Sequence, residues 1–152
     1  MRRGGVYYFL LPFCLCLAFS RLPAKRSAPG PDRNGGRNVL LVTIDTLRAD
    51  RLSCYSRQYV QTPNIDSLAE RGTLFSRAFA NTSTTLPSHA NILLGVSPLY
   101  HGVHDNLRFI VRPDFLSLAE HLKTNGYSTA AYVGAYPLDS RFGLNQGFDI
   151  YD

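Results

Sequence analysis

Hydrophobic and polar positions divide residues 38–152 into segments with strand-like and helix-like patterns. Apolar, β-branched or alternating runs predict strands at Asn38–Ile44, Leu74–Ala80 and Tyr127–Val133. Apolar residues at helical spacing, flanked by cap and stop residues, predict helices between Thr62 and Gly72, over Pro87–Leu94 and over Pro113–Thr124. Strands that alternate with helices indicate an α/β layered fold with a mostly parallel sheet and right-handed crossovers.

The first predicted strand, NVLLVTI at Asn38–Ile44, is nearly all apolar, so we expect it to be buried on both faces of a parallel sheet. Asp45 follows this strand directly. Ligands of such folds bind beyond the carboxyl ends of the strands, which makes Asp45 a candidate site residue, although a turn or cap would also place an aspartate here. The chain has no GxGxxG after this strand and no GxxxxGK[ST], so the usual nucleotide-binding loops have no support.

The N-terminal 20 residues have the pattern of a secretory signal. Arg2 and Arg3 precede an apolar stretch, Val6–Phe19, and Ala18-Phe19-Ser20 supplies small residues at a cleavage position. As a helix this stretch would span about 21 Å, which is short of the ~30 Å hydrocarbon core of a bilayer. We therefore predict a signal peptide at 1–20, with an uncleaved N-terminal anchor as the alternative. The protein is expected to be exported to the periplasm, the extracellular space or the secretory lumen.

Residues 21–37 are rich in Pro, Gly and Arg and nearly free of large apolar side chains, which predicts a flexible linker.

Residues 1–37 hold seven basic groups and one acid (+6), whereas 38–152 hold nine basic and ten acidic groups (−1). A basic tail on a neutral domain does not indicate nucleic-acid binding, which needs Lys and Arg clustered on the folded surface. The composition, 45% hydrophobic and 18% charged, excludes a wholly disordered chain.

A second unusual segment, Asn81–His89 (NTSTTLPSH), concentrates hydroxyl groups at the start of a predicted helix. A helix N-terminus offers unpaired N–H groups and a partial positive charge, which favour an anionic ester. A hydroxyl such as that of Thr85, held beside a metal ion, can lose its proton and attack sulfur or phosphorus. Taken alone, Ser and Thr before a helix are more often ordinary caps.

Three consecutive stretches, NVLLVTIDTLRADRLSCYS, TPNIDSLAERGTLFSRAFA and TTLPSHANILLGVSPLYHGV, resemble the N-terminal part of the sulfatase family, within the alkaline phosphatase superfamily. The resemblance covers residues 38–152, including the final GLNQGFDIYD. It implies an α/β/α sandwich, incomplete in this chain, that carries a metal-dependent ester-cleaving site. Because the second half of such domains supplies further metal and substrate groups, the resemblance also implies a fragment of a longer enzyme.

Two positions depart from the usual sulfatase pattern. The family nucleophile is a Cys or Ser in C/S-x-P-S-R that is converted to formylglycine, whereas this chain has Thr85 at that position and His89 in place of the arginine. Threonine is not a substrate for that conversion, so the resemblance does not imply a formylglycine mechanism. Thr46 replaces the acid that often follows the first metal-binding aspartate, so a calcium site with paired carboxylates is not implied either.

The pattern Thr85-x-Pro-x-His89, followed by Gly-x-x-Pro and His-Gly-Val-x-x-Asn106, is similar to the nucleotide pyrophosphatase/phosphodiesterase branch of the superfamily. That similarity implies Thr85 as the nucleophile, Asp45 and Thr85 as metal ligands, and Asn106 as the residue that stabilises the developing oxyanion. His89 is a candidate substrate contact, with packing within its helix as the alternative, and the resemblance gives His101 a structural role. The implied cofactor is one or more divalent metal ions: zinc, manganese or magnesium, or calcium as in typical sulfatases.

The sequence therefore predicts a hydrolase of sulfate or phosphate esters carried by a small molecule, a glycan or a lipid, and Thr85 favours phosphorus chemistry. Two alternatives stay open. One is a membrane-tethered transferase of phosphoethanolamine or phosphoglycerol head groups on the same fold, associated with the membrane through its N-terminus. The other is an inactive, truncated module.

Overall fold

The computed structural model of the protein describes residues 16–17, 37–56 and 58–152. Of these, 43–80 belong to a first compact unit, and 81–152, with 37–42 and 16–17, belong to a second. The predicted leader (1–20) and linker (21–37) lie outside the described residues, apart from Cys16, Leu17 and Arg37. None of the helices in the described part of the chain has the length and apolar character needed to cross a membrane.

The first unit contains a short 3₁₀ helix, Ala49–Arg51, and helix α1, Pro63–Arg71. Thr62 is the N-cap of α1 and Gly72 ends it, as predicted. Two hydrogen bonds between Ser53 and Thr62 fix the start of the helix. The Ser53 N–H donates to the Thr62 hydroxyl at 3.0 Å, and the Thr62 N–H donates to the Ser53 hydroxyl at 2.7 Å. Both hydroxyls also donate to the Asp66 carboxylate, at 2.6 and 3.0 Å, so the first turn of α1 is tied to the preceding loop.

The second unit is built around helix α2, Thr85–Leu94, which ends at Gly95 with a positive φ of 68°. The sequence predicted this helix from Pro87, two residues later than its observed start. A one-turn helix, α3, follows at Pro98–His101. The buried apolar core of this unit consists of Leu86, Ala90, Leu93, Val103, Val111, Leu138, Phe142 and Leu144.

Three short strands of the second unit form a mixed sheet with the order β1-β2-β3. Strand β1, Cys16–Leu17, pairs antiparallel with β2, Ala130–Val133, with Cys16 opposite Val133. Strand β2 pairs parallel with β3, Ile150–Tyr151, with Ala130 opposite Ile150. Helices and a parallel strand pair support the predicted α/β class in part, whereas the α/β/α sandwich stays a prediction.

Two predicted strands are wrong. Within Asn38–Ile44 only Ile44 makes an isolated β-bridge, and Leu74–Ala80 is irregular, with a turn at Ser76-Arg77. The predicted burial of the first segment is also wrong, because the side chains of Val39, Leu40, Val42 and Ile44 are 37–57% exposed. A buried strand needs hydrogen-bonded neighbours on both sides, and an apolar, β-branched run cannot supply those partners by itself.

Helix α4 spans Leu118–Thr124 and so begins five residues later than the predicted Pro113. Its start is set by a capping box: the Ser117 hydroxyl accepts the Glu120 N–H at 3.0 Å, and the Glu120 carboxylate accepts the Ser117 N–H at 2.8 Å. The two N–H groups that the capping box satisfies, those of Ser117 and Glu120, outweigh the preference of Pro113 for a first helical position. The third predicted strand is confirmed in shortened form, since β2 begins at Ala130 rather than Tyr127.

Candidate active site

Thr85 occupies the first residue of α2, directly after the N-cap Thr84. Thr84 is extended, with φ −97° and ψ 144°, and its carbonyl oxygen accepts the N–H of Ser88 at 3.1 Å. The first N–H groups of a helix have no partner within the helix and carry a partial positive charge. The half-buried Thr85 side chain therefore stands where an anionic group would be favoured.

Asn106 lies beside Thr85 because its side-chain Oδ1 accepts the backbone N–H of Leu86 at 2.8 Å. This bond joins a predicted site residue, Asn106, to Leu86, the neighbour of Thr85, across 20 positions of sequence. It also orients the amide of Asn106: the oxygen faces the helix start, so the Nδ2 amino group is the end that can donate to a ligand.

The turn after Asn106 is held by Asp105, whose Oδ1 accepts the N–H groups of Leu107 at 2.8 Å and Arg108 at 2.9 Å. These two backbone hydrogen bonds, that of Leu107 first, hold the pKa of the Asp105 carboxyl below its usual range. The charged carboxylate thus stabilises the loop conformation that presents Asn106.

His89 is buried one turn along α2 from Thr85, with 1% of its surface exposed. Its Nδ1 lies 2.8 Å from the carbonyl oxygen of Thr85. Because a carbonyl only accepts, Nδ1 carries the proton in this contact. This is a hydrogen bond within the helix, and the substrate contact predicted for His89 stays a prediction.

His101 is a buried residue for which the sequence predicts no catalytic role. It is the last residue of α3, and its ring nitrogens contact Asn91 on α2 and the N–H of Val103. Burial, and secondarily the nearby His104, lowers the pKa of the His101 ring. The signal available in the sequence was the His-Gly-Val spacing ahead of Asn106.

Asp45, the other predicted metal ligand, belongs to the first unit, whereas Thr85 belongs to the second. Asp45 is exposed in a turn with Thr46, whose φ is +57°. The carboxylate of Asp45 and the hydroxyl of Thr85 are hard oxygen donors, which suit a divalent cation. No cluster of three or more His, Cys, Asp and Glu side chains that could hold a metal ion occurs among the described residues.

Comparison with known proteins identifies the family. The family model described as Sulfatase matches residues 37–152. The chain belongs to the sulfatase family. It is 32% identical over 121 residues to iduronate 2-sulfatase of Mus musculus. The aligned region covers 78% of this chain and 22% of that protein.

Two further relatives share the same level of identity. N-acetylglucosamine-6-O-sulfatase of Bacteroides thetaiotaomicron is 32% identical over 141 residues, covering 92% of this chain and 23% of that protein. Steryl-sulfatase of Rattus norvegicus is 32% identical over 142 residues, covering 85% and 23%. This sulfatase-family chain thus spans about a fifth of the length of these relatives. No solved structure gives a significant match.

Proposed function

We propose that the protein is a metal-dependent hydrolase of sulfate or phosphate esters in which Thr85 is the nucleophile. The observation that carries the proposal is the 2.8 Å hydrogen bond from the Leu86 N–H to Asn106 Oδ1. It holds an amide donor beside a hydroxyl at the positive end of a helix, which is an arrangement suited to an anionic ester.

Each residue of this arrangement has a separate task. The start of α2 attracts the charged oxygens of the ester, and Asn106 Nδ2 donates a hydrogen bond to the oxygen on which charge develops. Thr85 Oγ1 gives up its proton to solvent water and forms a bond to sulfur or phosphorus, while the ester oxygen leaves with the electron pair of the broken bond and takes a proton from solvent. Water then cleaves the Thr85 ester and restores the hydroxyl.

A divalent metal ion, which the sulfatase family typically uses, would lower the pKa of the Thr85 hydroxyl and polarise the ester. Asp45 and Thr85 would supply two of its oxygen ligands. Since catalytic metal sites generally use about three protein ligands or more, we propose that the others come from outside the described residues.

Two observations bear on the choice between sulfate and phosphate esters. The relatives carry the names of sulfatases, which favours a sulfate ester. Thr85 stands where the family pattern has a Cys or Ser, and a threonine attacking directly favours a phosphate ester. We therefore propose phosphate ester hydrolysis as the preferred chemistry, with sulfate ester hydrolysis as the competing outcome of the test below.

The test uses the full-length protein with zinc, manganese or calcium, assayed on p-nitrophenyl sulfate, p-nitrophenyl phosphate and a thymidine phosphodiester. Thr85→Ala should abolish turnover, and Asn106→Ala should lower kcat by about 10²- to 10³-fold, as expected for one lost oxyanion donor. Thr84→Ala is the matched control, because Thr84 is the adjacent hydroxyl residue and its side chain makes no capping hydrogen bond. It should leave kcat nearly unchanged.

Three outcomes would count against the proposal. Turnover that survives in Thr85→Ala would remove Thr85 as the nucleophile. Equal losses in Thr84→Ala and Thr85→Ala would point to damage at the helix start rather than to chemistry. Strong sulfate turnover that is lost in Thr85→Ala, with no phosphate turnover in the parent, would keep the nucleophile and overturn the preference for phosphate.

A further inference from the structure

Both ring nitrogens of His101 are engaged in hydrogen bonds in the interior of the second unit. The ring is 2% exposed, Nε2 lies 2.7 Å from the side-chain amide of Asn91, and Nδ1 accepts the Val103 N–H at 3.0 Å. Asn91 is on α2, whereas Val103 is in the loop that leads to Asn106. The imidazole therefore joins this loop to the helix that carries Thr85.

The loop from His101 to Asn106 is attached to α2 at two points. One is the contact between His101 and Asn91, and the other is the bond from the Leu86 N–H to Asn106 Oδ1. Leu86 and Asn91 are five residues apart, which is about 7.5 Å along a helix. Val103, which lies between the two points, is 1% exposed and belongs to the core. Two anchors and a buried residue leave the loop little freedom to move along the helix.

We propose that His101 is a positioning residue that sets the place of Asn106 for transition-state stabilisation. The proposal rests on the proposed function, because Asn106 is the oxyanion donor of that reaction. Loss of the ring would free the Val103 N–H and the loop, so Asn106 Nδ2 would shift from the reacting oxygen while the Thr85 hydroxyl stayed in place. A displacement of about 1 Å in such a group can cost on the order of 10²-fold in rate.

The hydrogen-bond pattern also shows that the ring acts in its neutral form. Nδ1 accepts an N–H and so carries no proton, and a proton added there would face the Val103 N–H. The lowered pKa of His101, caused by burial first and His104 second, agrees with this assignment. Because the ring is buried and both of its nitrogens are engaged in hydrogen bonds, we assign it a role in geometry.

The experiment compares His101 variants of the full-length protein on the ester that it turns over best. In His101→Asn, the new side-chain Oδ1 can replace Nδ1 as the acceptor for the Val103 N–H. In His101→Gln, the longer side chain places its amide nearer the position of Nε2, which contacts Asn91. We expect His101→Gln, which retains the anchor on Asn91, to keep kcat within about threefold of the parent, and His101→Asn, which loses that anchor, to lose about 10- to 100-fold, with KM little changed in both. His121→Asn, at an exposed histidine of α4, is the matched control and should behave as the parent.

A double-mutant cycle separates positioning from a general effect on folding. If His101 acts through Asn106, His101→Asn should cost no more than about twofold in a background that already carries Asn106→Ala. Equal losses in His101→Asn and His101→Gln would overturn the proposal, and so would a double variant whose loss is the product of the single losses. Failure of the proposed function is distinct, because Thr85→Ala and Asn106→Ala would then retain turnover whatever His101 does.

Discussion

Substitution of Gly147 by alanine should destabilise the second unit for two separable reasons. Gly147 has a φ of +82°, a conformation that L-residues rarely adopt. An added Cβ would also overlap the backbone nitrogen and Cγ of Glu120, and would lie 2.8 Å from the carbonyl carbon of Ala119. These atoms belong to the first turn of α4, so the methyl group could be accommodated only by displacing that helix start.

The two terms can be given magnitudes. A positive φ costs a non-glycine residue about 1–2 kcal/mol. Displacing packed backbone to admit an extra methyl group costs about 1–3 kcal/mol. Gly126→Ala isolates the first term, because Gly126 has a similar φ of +85° but no atom within 4 Å of the added Cβ. The gain from restricting the unfolded chain, about 0.4–1 kcal/mol for Gly→Ala, is shared by both variants and cancels.

Chemical denaturation by urea measures the free energy of unfolding by linear extrapolation. The chain has no tryptophan, so far-UV circular dichroism is the suitable signal. Gly147→Ala should be less stable than Gly126→Ala by about 1–3 kcal/mol, with similar slopes against urea. Equal losses in the two variants would refute the close approach of Gly147 to the first turn of α4.

Three further predictions concern the same unit. Ser117→Ala removes the acceptor of the Glu120 N–H (3.0 Å) and should cost about 1–2 kcal/mol in the same denaturation assay. The hydrogen bond from Lys123 holds the pKa of the Asp149 carboxyl below its usual range. The ionised carboxylate therefore stabilises the folded state above about pH 3.9, the ordinary aspartate value, and this stabilisation is lost as the pH falls through the lower pKa of the folded state. Asp149→Asn should accordingly flatten the fall in unfolding free energy below about pH 4, measured by urea denaturation across that range. Leu86→Ala empties a site that is 0% exposed and should cost about 2–5 kcal/mol, seen as a lower urea midpoint.

The helix ends that the sequence predicted correctly depend on local chemistry. Thr62 and Gly72 bound α1, and Gly95 ends α2 in the left-handed conformation that glycine favours. In these cases the residues that decide the boundary lie within one turn of it. The late start of α4 follows the same rule, since the Ser117–Glu120 pair that sets it is also local and outweighs Pro113.

The strand predictions failed for a reason that no local pattern can correct. Asn38–Ile44 has the composition of a buried strand, yet in the described structure several of its apolar side chains are exposed. β2 forms because Ala130 and Ala131 have partners in β3, 20 residues along the chain. Strand formation is decided by the partner as much as by the segment, and sequence periodicity carries information only about the segment.

The candidate site also has one part that local sequence predicts and one part that depends on contacts between distant residues. The sequence predicts Thr85 near a helix start, because the cap and the glycine stop that define α2 are local. The resemblance to a family implies a role for Asn106 but not the orientation of its side-chain amide. The orientation comes from the Leu86 N–H, whose bond to Asn106 depends on how the loop after α3 returns to α2. His101 secures that return through Asn91, a contact across ten positions that no local pattern encodes. A helix start is present in many proteins, so the proposal of ester chemistry at this one depends on the loop that brings an oriented amide to it.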